Sequence, residues 1–437
     1  MTVPCALFRQ TLLIFLLLIP LTCRADQLSL KEAVRLTVSN NPNIAESRVG
    51  IAVAGKAVES AFGKHYPRIT VEGLFSLRQD PVAFIPAQST SIPAHFSDTY
   101  ALLGPVLTIP LYQGGQVMNG VRLAELRQRI QEDSFMLTRN DLIANTVAGY
   151  NKILQLTSLA DSSRRAVLAL EEQRRNAALL FDVGRIPRVD LLKVEVQKVN
   201  EEQRLLALEE GVKNASSTLR TLMGEAVGAD SQPLRLTDTL GAVPMETDFE
   251  SGLDLARSNP RFQLFSKAVD EAELNRKLAL GRLLPTLNAH TGYQQQFGFN
   301  PTYNDGVWFA GATLSIPVFD RTSYAEISRE RLQKERALEK LKAVENQLRL
   351  DLRVSMSSIG ETRKRIEATR KAIEQAQESF RIEQKKYSLG SGIMSDLLLA
   401  QAAESQAESN FTQALFDYNT AILDWHRASG DMEVYLK

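Results

Sequence analysis

LFDVGRIPRVDLL, residues 180–192, interrupts a long charged stretch of helical periodicity. KYSLGSGIMSDLL, residues 386–398, does the same 206 positions later. Phe181 pairs with Tyr387, Gly184 with Gly390, Asp190 with Asp396 and Leu191 with Leu397. Glycine tolerates the left-handed backbone that ends a helix, and aspartate is favoured where the next one starts. Gly184 and Gly390 are therefore expected to end two long helices, and Asp190 and Asp396 to cap the helices that turn back. Two α-hairpins with matching tips imply a duplicated unit.

The duplication extends outward from the tips. Ser29-Leu30-Lys31-Glu32 matches Thr247-Asp248-Phe249-Glu250, 218 positions on. Both read as capping boxes, a hydroxyl at the cap and a glutamate three residues later. Asn41-Pro42 matches Asn259-Pro260 at the same offset, an amide cap before a proline at the first helical position. Pro67 matches Pro285, also 218 apart, but Pro110 and Pro317 are 207 apart. The first copy thus carries an insertion between Pro67 and Pro110, expected to be a surface loop. The copies span 26–224 and 247–430, with a linker at 225–246 holding Pro233 and Pro244, and a tail at 431–437.

After each second helix the period changes to two. Ile69, Val71, Gly73, Phe75 and Leu77 alternate with Arg68, Thr70, Glu72, Leu74 and Ser76. Leu287, Ala289, Thr291 and Tyr293 alternate with Asn288, His290, Gly292 and Gln294. Returning strands follow, giving strand pairs at about 68–111 and 286–318. Strands of roughly ten residues, apolar on one face and mixed on the other, are the pattern of a transmembrane β-barrel. Alternation alone also fits an antiparallel sheet half-buried in a soluble domain.

Two proline-free segments, 116–181 and 324–389, are long enough for helices of ~100 Å. In the second, Leu352, Ile359, Ile366, Ile373, Phe380 and Tyr387 recur at every seventh position, beside small Ser355, Thr362, Thr369 and Ala376. Such a stripe implies left-handed supercoiling against other helices. Return helices are expected at 190–223 and 396–429.

The first 25 residues read as a secretory signal: Arg9, the apolar run Thr11 to Leu21, and small residues before cleavage after Ala25. Acylation of Cys23 is the alternative, which Pro20-Leu21-Thr22 suits poorly. Cleavage removes both cysteines, leaving an exported chain stabilised by burial or assembly rather than disulfides. It leaves 49 basic against 51 acidic side chains, with no basic excess to favour nucleic acid. No later run is apolar enough for a spanning helix, so any membrane insertion must use strands. Four strands cannot close a membrane barrel, and open edges are not tolerated in lipid, so copies must pool strands. Two or three copies would satisfy that count. His65, His95, His290 and His426 are scattered without metal-ligand spacing, so no metal, cofactor or catalytic site is expected. His290 is placed in a lumen with Asn288 and Gln294.

The conjunction of signal peptide, tandem halves, Asn-Pro helices, strand pairs ending in Ile-Pro-Leu or Ile-Pro-Val, and Phe/Tyr-x-x-Gly…Asp-Leu-Leu tips resembles the TolC family of Gram-negative outer-membrane efflux proteins. The resemblance covers essentially the whole mature chain. It implies a mainly α protomer with transmembrane β: a homotrimer sharing one outer-membrane barrel, four strands per chain, continued by a periplasmic α-helical barrel. It further implies a non-enzymatic duct in outer-membrane lipid, passively exporting small molecules or proteins, with a periplasmic adaptor and an inner-membrane transporter as partners. Adaptors are expected at the tips, around Gly184, Asp190, Leu191, Gly390, Asp396 and Leu397. By the same resemblance, Asp396 forms a ring across the copies, and Tyr387 bonds toward Asp190 to hold the mouth closed. Helix capping is the alternative role for both aspartates, and the roles are compatible. The chain departs from the family pattern at Gly392, where an arginine can brace the closed state, and at Leu399, where a second acidic ring can sit. The rival readings are a periplasmic adaptor, which also carries long α-hairpins, and a structural coiled-coil protein of the envelope.

Overall fold

The structure is a computed structural model describing residues 28–85, 94–226, 228, 232–243, 245–246, 248–300 and 302–436. The signal segment 1–25 and Thr247 lie outside the described residues. Each half runs helix, helix, strand, strand, long helix, return helix. The first comprises α1 (Leu30–Asn40), α2 (Pro42–Gly63), β1 (Arg68–Ile85), β2 (His95–Gln113), α3 (Gln116–Asp182) and α4 (Arg188–Leu222). The second comprises α5 (Phe249–Ala256), α6 (Pro260–Gly281), β3 (Thr286–Phe299), β4 (Thr302–Ser315), α7 (Arg321–Ser388) and α8 (Met394–Ser429), followed by a 3-10 turn at Met432–Tyr435.

The short helices start as their caps dictate, with one displacement. Ser29 Oγ accepts from Glu32 N at 3.2 Å. In the second half the cap is Asp248 rather than Thr247: its carboxylate accepts from Ser251 N at 2.9 Å and from Ser251 Oγ at 2.7 Å. An anion at a helix start gains from the macrodipole as well as from the hydrogen bond, and Ser251 supplies a second donor. Asn41 and Asn259 do more than cap. Their Oδ1 atoms accept from Asn43 N and Arg261 N, while their Nδ2 atoms donate to Leu222 O, and to Arg427 O and Ala428 O, at the far ends of α4 and α8. Each amide, only 4% exposed, thus serves both the start of one helix and the end of another, closing its half of the chain.

The heptad stripe is the core of the second hairpin. Leu352, Ile359 and Ile366 are buried against Ala414, Leu415, Tyr418, Ala421 and Trp425 of α8. Ser355 and Thr362 are buried beside them, small enough to let α8 approach. Near the sheet, α2, α3, α6 and α7 lie side by side; toward the tips the row becomes α4, α3, α8 and α7. Apart from the short α1 and α5, which pack against this row, the chain is therefore a wall one helix thick. α7 begins at Arg321, three residues earlier than Tyr324, because Asp320 accepts from Thr322 N at 2.9 Å.

The four strands form one antiparallel sheet in the order β1-β2-β3-β4. Directly paired residues of antiparallel strands share a face. The register Val71↔Pro105, Leu107↔Thr291 and Thr291↔Ala310, continued through Phe75↔Ala101 and Tyr293↔Trp308, places every apolar row on one side. That side is bare: Ile69, Val71, Leu77 and Trp308 are each more than 70% exposed. The other side is mixed, carrying Arg68, Thr70, Glu72, Asn288, His290 and Gln294 together with Leu74 and Phe309. The insertion does not form a loop alone. β1 and β2 have 18 and 19 residues against 14 in each of β3 and β4, so most of it prolongs the strands, with register shifts after Leu77 and Ala83. Bulges let a hairpin extend and twist without losing its ladder. Residues 86–93 lie outside the described residues.

The face assignment predicts opposite outcomes at adjacent residues. Val71→Arg puts a charge on the apolar side, where a lipid contact makes it cost about 2–4 kcal/mol near the midplane. Thr70→Arg puts the same charge on the mixed side. Heat-modifiable folding into membranes should fail or fall sharply for the first and persist for the second; equal behaviour would refute the assignment.

Candidate functional site

The two hairpin tips lie together at the end of the helical row. Gly184 and Gly390 adopt φ of 72° and 75°, as their position after a helix requires. Arg185 N donates to Leu180 O and Gly184 N to Phe181 O, both at 2.8 Å; Ser391 N donates to Lys386 O and Gly390 N to Tyr387 O, both at 3.0 Å. Each is a Schellman closure, satisfying carbonyls that the helix end would leave free.

Asp190 and Asp396 are not caps. The caps of α4 and α8 are Pro187 and Ile393, which make no side-chain hydrogen bond, and the aspartates sit in the first turn at the third helical position. There they act on the helix dipole rather than on an open N–H. The turns are shorter than the spacing suggests because Pro187 and Ile393 already hold the extended backbone that starts a helix.

Beneath the turns, Leu170, Ala177, Val194, Met394 and Leu397 form a small buried core, with Ile186, Leu191, Phe380 and Tyr387 packed against it. Leu397, 2% exposed, therefore supports the tip from within, and Leu191 is half-buried. The apolar surface that is free at the tip comes from other residues: Val189, Leu192, Val196, Ile393 and Leu399. Several of these line an open groove of about 530 Å³ between α4 and α8, with Lys193 and Ser395 on its wall. Sequence periodicity could have found them, since they lie on the side of each return helix that the core leaves uncovered.

The three residues expected at a gate are only partly brought together. Asp396 is exposed and, among the described residues, has no hydrogen-bond or ion-pair partner. Tyr387 lies near Asp190, and its phenol is pushed up first by burial and second by the Asp190 charge. No hydrogen bond joins them: the Tyr387 hydroxyl is buried without a partner. Asp190 instead accepts from Lys193 Nζ at 3.1 Å, and the same Nζ donates to Ser395 Oγ of the other hairpin at 2.9 Å. The sequence reading missed Lys193 because one lysine among many on a charged helix carries no signal of its own. Among the described residues no cluster of three or more His, Cys, Asp or Glu side chains is disposed to hold a metal. His290 shares the mixed face of β3 with Asn288 and Gln294; His426 stacks edge-on with Tyr435 at 5.6 Å.

The sequence profile of outer membrane efflux proteins matches residues 33–225 and 254–430. This chain belongs to that family. Outer membrane efflux protein BepC of Brucella suis is 25% identical over 389 residues, 86% of this chain and 81% of its own length. Outer membrane protein TolC of Vibrio cholerae is 20% identical over 416 residues, 92% of this chain and 91% of its own. Among solved structures, the CmeC outer membrane channel of Campylobacter jejuni superposes with a TM-score of 0.76 at 15% identity, covering 92% of this chain and 85% of that one. The open-state MtrE outer membrane channel of Neisseria gonorrhoeae gives 0.73 at 16% identity, covering 92% and 88%. This outer membrane efflux protein therefore resides in the outer membrane and extends into the periplasm, and it is a transport protein rather than an enzyme. The adaptor and coiled-coil readings leave the membrane-type sheet unexplained and are set aside.

Two predictions concern this efflux protein's hairpins. A Cβ at Gly390 would meet nothing within 4 Å, so Gly390→Val acts through the positive φ alone, at a cost of about 1–2 kcal/mol. Export should fall while the folded channel persists on gels; undiminished export would count against the tip as a functional surface. Farther up the first hairpin, Lys198 at 2.5 Å and Arg174 at 3.1 Å hold the Glu171 carboxyl down at about 2. A depressed carboxyl stabilises the fold above its ordinary value of 4.5 and loses that contribution as pH falls toward 2. Melting temperatures between pH 5 and pH 2 should therefore decline less steeply for Glu171→Gln than for the parent.

Proposed function

We propose that three copies of this chain form a passive export duct, open to the exterior through a shared twelve-stranded barrel and gated at the hairpin tips. The observation that carries this is the sheet: an exposed apolar face together with unpaired edges on β1 and β4. Backbone groups at such edges must be satisfied inside a bilayer, which only closure with further copies provides. Four strands per chain give an even count for any number of copies, and three copies enclose a lumen wide enough to pass solutes. The helical walls then continue the lumen across the periplasm.

The tips are the end that meets the rest of an export machine. We assign the tips, with the apolar groove between α4 and α8 and with Gly184, Asp190, Gly390 and Asp396 in the turns and first helical turns, to docking of a periplasmic adaptor, which couples the duct to an inner-membrane transporter. Small molecules or proteins are the cargo class, and the choice among them rests with the transporter, since a duct lined by mixed polar groups binds little of what passes. Asp396, exposed and without a hydrogen-bond or ion-pair partner among the described residues, supplies negative charge at the mouth, and a ring of carboxylates favours cations.

Planar-bilayer recording of the detergent-solubilised protein tests the reading. The particle should have the mass of a trimer and conduct ions. Asp396→Asn should lower cation preference with little change in thermal stability, because asparagine keeps the size and loses only the charge. A monomer without conductance would sink the duct; a conducting trimer with unchanged selectivity would remove Asp396 from the mouth.

A further inference from the structure

At the tips the two return helices of one chain are joined through a lysine. Lys193 lies one turn inside α4, and its Nζ donates back to Asp190 Oδ1 at 3.1 Å and across to Ser395 Oγ, in the first turn of α8, at 2.9 Å. Asp190 and Ser395 each stand at a helix start, so the ammonium bridges the beginnings of both return helices. The carboxylate is only 21% exposed and the lysine 43%. The pair is therefore partly shielded, and Asp190 fixes where the ammonium sits.

Among the described residues no other hydrogen bond joins the first turns of α4 and α8, which otherwise meet through apolar packing. The Tyr387 hydroxyl, though near Asp190, is buried and unpartnered. The second tip cannot supply a cation at Gly392, whose N–H is already committed to Lys386 O at 3.1 Å. A Cβ there would lie 2.9 Å from Tyr387 N and 3.1 Å from Lys386 Cβ, so any side chain would force the turn apart. Asp396 has no hydrogen-bond or ion-pair partner among the described residues. Of the two lysines in the last turn of α7, Lys386 is paired with Glu383 of its own helix; the cation seen bonded across the hairpins at this level belongs to the first.

We propose that Lys193 is the latch of the periplasmic mouth, holding the second hairpin to the first through Ser395 while Asp190 positions its ammonium. The inference rests on the reading of the tips as a gated mouth. Opening that mouth requires the start of α8 to move relative to α4, and the bond from Lys193 to Ser395 lies across that movement. The bond from Lys193 to Asp190 lies within α4 and survives it, so the ammonium stays poised for re-closure. A charged donor on a neutral hydroxyl at a partly exposed site is a weak link, as a latch that must release has to be. The charge of the pair makes its positioning sensitive to salt.

Single-channel recording decides it, with wild type, Lys193→Met, Lys193→Arg, Ser395→Ala and the Lys193→Met/Ser395→Ala double variant measured in parallel. Methionine keeps most of the packing stem and removes the charge. Lys193→Met and Ser395→Ala should each raise the open-to-closed ratio by about three- to tenfold, the range for one partly exposed charge-assisted hydrogen bond. The double variant should go no further than either single one, because both remove the same bond. Lys193→Arg should gate like wild type. The difference between Lys193→Met and wild type should shrink at high salt, whereas melting temperature should not move. Wild-type opening in Lys193→Met, in a channel whose selectivity does respond to Asp396→Asn, overturns the latch and leaves the mouth standing. Unchanged opening together with unchanged selectivity in Asp396→Asn overturns both. Raised opening accompanied by a parallel loss of melting temperature, or raised in Lys193→Met but not in Ser395→Ala, also overturns the latch.

Discussion

Inside a bilayer a backbone N–H or C=O without a partner costs several kcal/mol, and β1 and β4 each present a row of them. Most of the molecule's design follows from that constraint. The edges can be satisfied only by the edges of other copies. An even number of strands lets β4 of one copy meet β1 of the next antiparallel, so the ladder continues across the joint without a change of hand. It also returns the chain to the side of the sheet from which it entered. All the helices therefore emerge on one side, and the barrel and the helical wall share an axis. A single hairpin would meet the same topological demand, but it would leave a sheet of two strands, and isolated hairpins are barely stable. The second copy of the unit supplies the second hairpin together with the second helical pair.

The helical wall inherits a different problem. A wall one helix thick has little interior, so each helix must be fixed by its neighbours along its whole length. Where the short helices meet the ends of the return helices, a full length of α2 or α6 away from the sheet, the fixing is done by buried amides: Asn41 and Asn259 each bind a helix start and a helix end within their own half. Along the second hairpin the fixing is done by the seven-residue stripe that seats Leu352, Ile359 and Ile366 against α8. Toward the tip the stripe continues as Ile373, Phe380 and Tyr387, which are only half-buried. The packing thins out toward the tips.

Periodicity and repetition made most of this legible from the residues. Copies, strand faces, the long helices and the glycine turns are all encoded by spacing, which survives without tertiary knowledge. The failures share a physical cause: they concern which of several adjacent polar groups wins a local contest. Asp248 and not Thr247 caps α5, because charge and a second donor at Ser251 outweigh the hydroxyl. Asp190 and Asp396 sit inside their helices, because the backbone at Pro187 and Ile393 already starts them. The insertion reads as loop by length but prolongs two strands, since pairing continues wherever a partner strand is available. Lys193 could not be singled out, because its importance lies in Ser395 being opposite it, a fact of the fold alone.

Wall and mouth make opposite demands on the same helices, and the chemistry divides accordingly. A wall should hold one state, which deep burial and fully met amides achieve. A mouth should hold two states of similar free energy, and that requires interactions small enough to exchange. Among the described residues the tip has the matching inventory: a half-exposed lysine shared between a carboxylate and a hydroxyl, a tyrosine hydroxyl left without an acceptor, and an unpaired aspartate. An unmet buried hydroxyl raises the free energy of the state that contains it, by about 1–3 kcal/mol. Set beside one bridging lysine of comparable strength, it leaves the contact between the tips only slightly favoured. Local stability is lowest where motion is needed, and here the low stability is traceable to named groups rather than to loose packing in general. The turns themselves stay rigid, because Gly184 and Gly390 complete their hydrogen bonds. The contact between the hairpins is held by less: a small apolar core and one bridging lysine join the starts of α4 and α8.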